Sequence, residues 1–178
     1  TADGAGEVVV TRTPSELALA ARRFAAAGVD VVAACGGDGT NLSTVTELVR
    51  AYHGQALPTF AILRGGTVNT IARNLAIHGK PDEILARLVA AARAGRVPAV
   101  AQDLLRVNGL YGFLFAALMG ARFLEAYYGG LHPGVVSATL LTARTVVSSL
   151  VKGRLSRWLF APADVAVTVD GEALPPTP

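Results

Sequence analysis

One junction recurs in this 178-residue chain and constrains its fold more than any other feature. An apolar run of strand length stops at paired glycines, passes a threonine and turns amphipathic. It occurs in VVAACGGDGTNLS, Val31 to Ser43, and again in ILRGGTVNTIARN, Ile62 to Asn74. Short continuous apolar runs bounded by glycine suit strands buried on both faces. Spacing of three to four residues suits helices. Strands that alternate with helices imply a mostly parallel sheet covered on both sides, hence an α/β fold.

The neighbouring segments extend the pattern. EVVVT, Glu7 to Thr11, is expected as a first visible strand. A helix should start near Pro14, carry Leu17, Ala20, Ala21 and Phe24 on one face, and stop at Gly28. A strand over Val29 to Cys35, a helix from Thr40 to about Tyr52, a strand over Pro58 to Arg64 and a helix from the second glycine pair to about Ala76 follow. Another helix should run from Pro81 to Gly95. Beyond Arg96 the pattern changes. VPAVAQDLLRVNG and LYGFLFAALMG are expected as strands joined by the turn pair Asn108-Gly109. GVVSATLLTARTVVSSLVKG is expected as a helix. DVAVTVDGEAL alternates, with Val165, Val167 and Val169 on one face and Asp170-Gly171 as its turn.

In a parallel sheet, ligands bind beyond the carboxyl ends of the strands. Both glycine turns fall there. Glycine lets the backbone bend and approach a ligand closely, and the following helix N-terminus favours anionic oxygen. Asp38 reads in more than one way: as the cap of its own helix, as a carboxylate beside a divalent cation on phosphate, or as a proton-transfer group. The turns are neither the G-x-G-x-x-G fingerprint nor the P-loop, because no lysine follows the glycines.

Composition narrows the classes. Hydrophobic residues make up 52% of the chain, enough for a core, and the expected frayed parts are the ends, TADGAG and PPTP. A net charge of +3 suits phosphate-bearing ligands or an anionic surface without demanding nucleic acid. Cys35 stands alone, which leaves no disulfide framework or cysteine metal cluster, and it is expected as a small buried hydrophobe. His53, His78 and His132 lack metal-ligand spacing, and His132 before Pro133 is expected in a turn. No signal peptide is visible, and the longest uncharged apolar segment, Leu131 to Ala143, is too short to span a bilayer. A cytoplasmic protein, or one peripheral to a membrane, is expected.

GGDGT followed by GGTVNTIARNL resembles the lipid kinase catalytic domain shared by diacylglycerol, sphingosine and ceramide kinases and related bacterial lipid kinases. The resemblance covers roughly residues 8–120. NAD kinases also carry GGDGT. The G-T-x-N-x-x-A-R segment, Gly66 to Arg73, is similar to the lipid side. The resemblance implies a parallel-sheet Rossmann-like nucleotide domain over residues 1–100, with its first strand missing. The start of an antiparallel β-rich substrate domain with an inserted helix would follow over 101–178. It implies ATP and Mg²⁺, with transfer of the γ-phosphoryl group to a lipid hydroxyl such as that of diacylglycerol at a membrane surface. By that resemblance Asp38 is the catalytic residue. The ATP contacts would be Thr11, Gly36, Gly37, Asp38, Gly39, Thr40, Asn41, Leu42, Ser43, Gly66, Thr67 and Asn69. The metal positions would be Asp38 and Asp103. No nucleic acid and no stable protein partner are implied.

The chain departs from the family pattern at three positions. Ser43 stands where a glutamate is usual, Thr70 where an aspartate is usual, and Phe115 where an asparagine is common. Glu47 lies one helical turn beyond Ser43. An Asn-Pro nucleotide loop and a late Asp-Gly-x-Leu segment with the general base are expected outside these residues, and Asp170 is not assigned as that base. Two alternatives to a lipid kinase therefore stand: a kinase of a soluble substrate such as NAD, or a nucleotide- or lipid-binding module of impaired activity. From Ala126 to Ala163 there is no acidic residue, while Arg144, Lys152, Arg154 and Arg157 lie near Trp158 and Phe160. That segment reads either as a membrane-surface helix or as a core helix whose basic end complements its dipole. Tyr127, Tyr128 and Phe123 are expected in a core or lining a lipid pocket. Arg73 reads either as a phosphate contact or as a solvated side chain.

Overall fold

The computed structural model describes residues 6–130 and 134–174. The expected turn at His132-Pro133, the first residues of the apolar segment from Leu131, and most of both frayed ends lie outside these residues. The chain divides between Phe115 and Ala116 into two compact units.

The first unit is mixed α/β. It runs α1 (Pro14–Ala26), β1 (Val31–Ala34), α2 (Asp38–Tyr52), β2 (Thr59–Ile62), α3 (Thr70–Asn74), α4 (Pro81–Arg93), β3 (Leu105–Val107) and β4 (Leu110–Gly112). Thr13 caps α1, its hydroxyl accepting from the Glu16 N–H at 3.2 Å, and Pro14 occupies the first turn. Gly28 ends the helix region at φ 64°. β1 and β2 pair in parallel from Val31 against Thr59 to Ala34 against Ile62. The two strands stop level, so both glycine turns leave the sheet at the same end.

Two clusters hold this unit together. Ala21, Val32, Leu48 and Tyr52 join α1, β1 and α2, with Phe24 and Phe60 packed against them. Ile62, Ile71 and Ala72 tie β2 to α3, with Leu75, Ile77 and Phe113 alongside. The Tyr52 hydroxyl donates to the Val29 carbonyl at 3.1 Å. Burial, and secondarily the charge of Asp30, raise its pKa above the ordinary tyrosine value, so it remains a donor.

The antiparallel pair β3–β4 turns at Asn108 (φ 50°) and Gly109 (φ 76°), the two positive φ values that a primed hairpin turn requires. It packs with α2. The Thr46 hydroxyl donates to the Tyr111 carbonyl at 3.0 Å and accepts from the Tyr111 N–H at 2.9 Å. Arg50 donates to the Gly109 carbonyl at 3.1 Å. Thr46 is buried, so its removal leaves two backbone groups unpaired away from water. Thr46→Val is expected to lower unfolding free energy by about 2 kcal/mol, read by urea denaturation. An unchanged midpoint would mean that the hairpin is held by packing alone.

Four expectations about this unit are corrected. Glu7 to Thr11 is not a strand: no ladder partner meets it among the described residues, and Val8 and Val10 are exposed at 67% and 75%. Its visible tie is the exposed Glu7–Arg23 ion pair at 2.5 Å, a weak kind of restraint. Cys35 is exposed, because β1 ends one residue earlier and the chain swings outward into the turn. α2 begins at Asp38 and not Thr40, so Gly39 to Ser43 are helical. Residues 97–104 form no strand, and β4 ends at Gly112, leaving Phe115 outside it and 56% exposed.

The second unit is mainly helical: α5 (Met119–Tyr128), α6 (Val135–Leu150) and α7 (Arg154–Leu159), then the hairpin β5 (Thr168–Val169) and β6 (Glu172–Ala173). Asp170 and Gly171 turn that hairpin at φ 51° and 88°. The end of LYGFLFAALMG, expected as strand, opens α5 instead. The helix expected over residues 134–153 is α6, while Arg154 and Arg157 lie on the separate helix α7, so basic residues do not close α6: its last turn holds none. Arg122 donates to the carbonyls of Leu159 and Ala161 at 3.3 and 2.6 Å, satisfying the open end of α7. Tyr127 and Tyr128 meet edge to face, and Tyr128 is exposed and not core. Among the described residues no helix is long and apolar enough to cross a membrane.

Candidate functional site

The site grows from the level ends of β1 and β2. The ladder continues one bond past the strands, from the Leu63 N–H to the Ala34 carbonyl at 2.9 Å. The first turn, Gly36-Gly37, therefore faces the second, Gly65-Gly66. A Cβ placed on Gly66 would overlap the Gly37 backbone, and one on Gly65 would lie 2.8 Å from the Gly36 nitrogen. The turns touch backbone to backbone, an approach that only glycine permits.

The second turn is stapled by its own asparagine. Asn69 sits at φ 52°, ψ 50°, a left-handed conformation that asparagine tolerates. Its Oδ1 accepts from the Gly66 N–H at 3.1 Å, while Nδ2 donates to the carbonyls of Gly66 and Arg64 at 2.5 and 3.3 Å. It is buried, so its amide shapes the loop from inside. Thr67, beside it, is exposed.

Asp38 links the two turns. It does not cap its own helix: Gly37 holds that position, with no side-chain bond. Instead Oδ2 accepts from the Thr70 N–H at 2.9 Å and Oδ1 from the Ile71 N–H at 3.2 Å. The carboxylate thus caps α3, whose own N-cap residue Asn69 makes no capping bond. This use of Asp38 has no sequence signature, because any residue but proline at positions 70 and 71 supplies the same N–H groups. Thr70 in place of the usual aspartate leaves Asp38 without a second carboxylate across this contact.

α2 presents an open N-terminus. Its intrahelical bonds begin at the Asn41 N–H, which donates to the Gly37 carbonyl at 3.0 Å. The N–H groups of Asp38, Gly39 and Thr40 therefore have no intrahelical acceptor, and the helix dipole adds positive potential there. Asn41, 1% exposed, leaves both amide atoms without a partner. Buried polar groups are nearly always satisfied, so an unpaired amide in the first turn fits a site that gains a polar ligand. Thr40 and Ser43 are exposed. Leu42 instead packs toward the hairpin, where its Cδ1 fills the space that a side chain at Gly112 would need.

The remaining candidates are not joined to this centre by hydrogen bonds. Thr11 lies on the unpaired segment before α1, and Asp103 is exposed between α4 and β3. Glu47 pairs with Arg50 at 2.6 Å on the hairpin side of α2. Arg73 is exposed in the last turn of α3. Among the described residues no three acidic, histidine or cysteine side chains gather to hold a metal. A hard cation on a nucleotide needs few protein carboxylates, because phosphate oxygens and waters complete its shell. Asp38 therefore fits a role beside such a cation, and the open α2 terminus fits the phosphates.

The family model of the diacylglycerol kinase catalytic domain matches residues 2–99. A curated relative described as a probable lipid kinase YegS-like protein, from Stenotrophomonas maltophilia (strain K279a), is 41% identical over 83 residues. That stretch is 46% of this chain and 25% of the relative. The match thus spans about a quarter of the relative's length. No solved structure matches the chain.

Proposed function

The chain belongs to the diacylglycerol kinase catalytic domain family, and we propose that it supplies the nucleotide side of an ATP-dependent lipid kinase. One observation carries this reading: two glycine turns meet at the carboxyl ends of parallel strands and are locked by a carboxylate, Asp38, beside an open helix N-terminus.

In this reading the N–H groups of Asp38, Gly39 and Thr40 hold anionic phosphate oxygens. The hydroxyls of Thr40, Ser43 and Thr67 add donors at the rim, and the Asn41 amide gains its missing partner. Gly37 and Gly66 keep the two backbones close, so the donors need no reorganisation when charge moves. ATP when bound supplies the γ-phosphoryl group, and Mg²⁺ neutralises its charge. Asp38 keeps free lone pairs on both oxygens while it caps α3, so it can face the cation without releasing the helix. The acceptor is a lipid hydroxyl, such as that of diacylglycerol, presented at the cytoplasmic face of a membrane. On the second unit, Arg154 and Arg157 beside Trp158, 40% exposed, and Phe160, 56% exposed, suit contact with anionic lipid.

A second reading, a nucleotide-binding module without turnover, is favoured by the missing second carboxylate: Ser43 and Thr70 replace acids, and Glu47 is held by Arg50. The two separate in one experiment. The full-length protein is given γ-labelled ATP, vesicles containing diacylglycerol or sphingosine, and NAD as a soluble acceptor. Label in the lipid phase is the expected result. Label in NAD would replace the lipid acceptor with a soluble one, and nucleotide binding without labelled product would leave the binding module.

A further inference from the structure

We propose that the α/β unit holds a second site, away from the glycine turns, that binds the acyl chain of a single-chain anionic amphiphile. A cavity of about 730 Å³ lies between β2, α4 and the segment that follows α4. Pockets for small ligands run from about 300 to 1,000 Å³. Phe60, Ile62, Leu75, Ile77, Leu88 and Phe113 are among its walls, and no carboxylate lines it. The cavity is open to solvent on one side, and an apolar chain laid in it would be removed from water against largely apolar walls.

The rim identifies the occupant. Two guanidinium groups converge on one corner of backbone, His78-Gly79. Arg87 donates to the His78 carbonyl at 2.5 Å, and Arg64 donates to the Gly79 carbonyl at 3.4 Å. His78 and Arg87 themselves line the cavity. Neither arginine forms an ion pair with a carboxylate among the described residues, and the Arg64 Nε is buried without a partner. Glu83, one turn before Arg87 on α4, points its carboxylate at the Lys80 N–H, 2.9 Å away. Its carboxylate and the Arg87 guanidinium both lie against Gly79, but no ion pair joins them, so an apolar cavity with Arg87 in its wall is complementary to an alkyl chain ending in carboxylate or phosphate. The site also touches the catalytic side: Leu75 and Ile77 follow α3, the helix that Asp38 caps.

Binding at this site is independent of phosphoryl transfer and is read without nucleotide. cis-Parinaric acid, a fatty acid that fluoresces in apolar surroundings, is titrated into the full chain. Lysophosphatidate and neutral monoacylglycerol are the competitors. Saturable uptake is expected, with the monoacylglycerol competing about tenfold less well than either anion because it lacks the charge-assisted contact. Stronger competition by lysophosphatidate would identify phosphate as the preferred headgroup, and stronger binding of the fatty acid would identify carboxylate. Ala91→Trp, which fills the cavity, is expected to weaken uptake by about tenfold or more without lowering the unfolding temperature. Arg87→Glu, on an exposed residue, is expected to weaken anion uptake about tenfold while leaving the monoacylglycerol unaffected. No saturable uptake, or uptake unchanged by both substitutions, would overturn the proposal. That is also the result expected if another segment of the full-length chain fills the cavity.

Discussion

Gly66→Ala is expected to abolish nucleotide binding and to cost about 3 kcal/mol of folding stability, more than an ordinary overpacked side chain. The reason is what the added methyl would meet. A methyl directed at a flexible side chain is relieved by a rotamer change. At Gly66 it meets the Gly37 Cα and nitrogen, which belong to the opposite turn and cannot rotate away. The strands beneath are held level by their ladder, so the turns can separate only if β1 and β2 lose pairing or the backbone of a turn refolds. Either outcome displaces Asp38 from α3. Gly39→Ala is the internal control. It lies in α2 with open space around its added methyl, and alanine there is expected to stabilise the helix by up to about 1 kcal/mol. Urea denaturation of both variants, with binding of a non-hydrolysable ATP analogue, measures the difference. If Gly66→Ala folds and binds like the parent, the turns are not in contact in solution.

The parts of this fold that were legible in the sequence depend on local chemistry. Thr13-Pro14 and Gly28 bound α1 because capping and positive φ are properties of single residues. Asn108-Gly109 and Asp170-Gly171 turn hairpins for the same reason. The glycine turns were legible as turns, and the alternation of strand and helix placed them at one end of a sheet. What stayed hidden depends on partners distant in sequence. Glu7 to Thr11 has a strand's composition, yet a strand exists only where another offers its N–H and C=O groups. Cys35 is apolar in character but falls one residue past the end of β1. Within the site, Gly36, Gly37, Gly66 and Asn69 could be picked out by residue type. The bonds from Thr70 and Ile71 to Asp38 could not, since they use only main chain. Nothing in the sequence singles out Thr46, whose hydroxyl joins α2 to the hairpin.

Asp38 caps α3 and, in the proposed function, also meets the cation, and its variants should separate the two roles. Asp38→Ala removes the acceptors of the Thr70 and Ile71 N–H groups, and with Ile71 buried, water replaces them poorly. Asp38→Asn keeps the shape and one oxygen but turns an NH₂ donor toward an N–H donor, so one contact becomes repulsive. Each is expected to lose about 1–3 kcal/mol of stability, the usual cost of an unpaired buried donor. Each should also speed amide hydrogen exchange at Thr70 and Ile71. If the full-length protein turns over ATP as proposed, loss of a positioned catalytic carboxylate is expected to reduce that turnover about 10²- to 10⁴-fold. A turnover loss that persists under conditions where the variant is fully folded assigns Asp38 to the chemistry as well as to the cap. Turnover that recovers fully with folding would leave Asp38 as a positioning residue for α3, and the carboxylate that meets the cation would have to be sought elsewhere. Unchanged exchange at Thr70 and Ile71 would remove the cap itself, and with it the link that holds the second turn against the first.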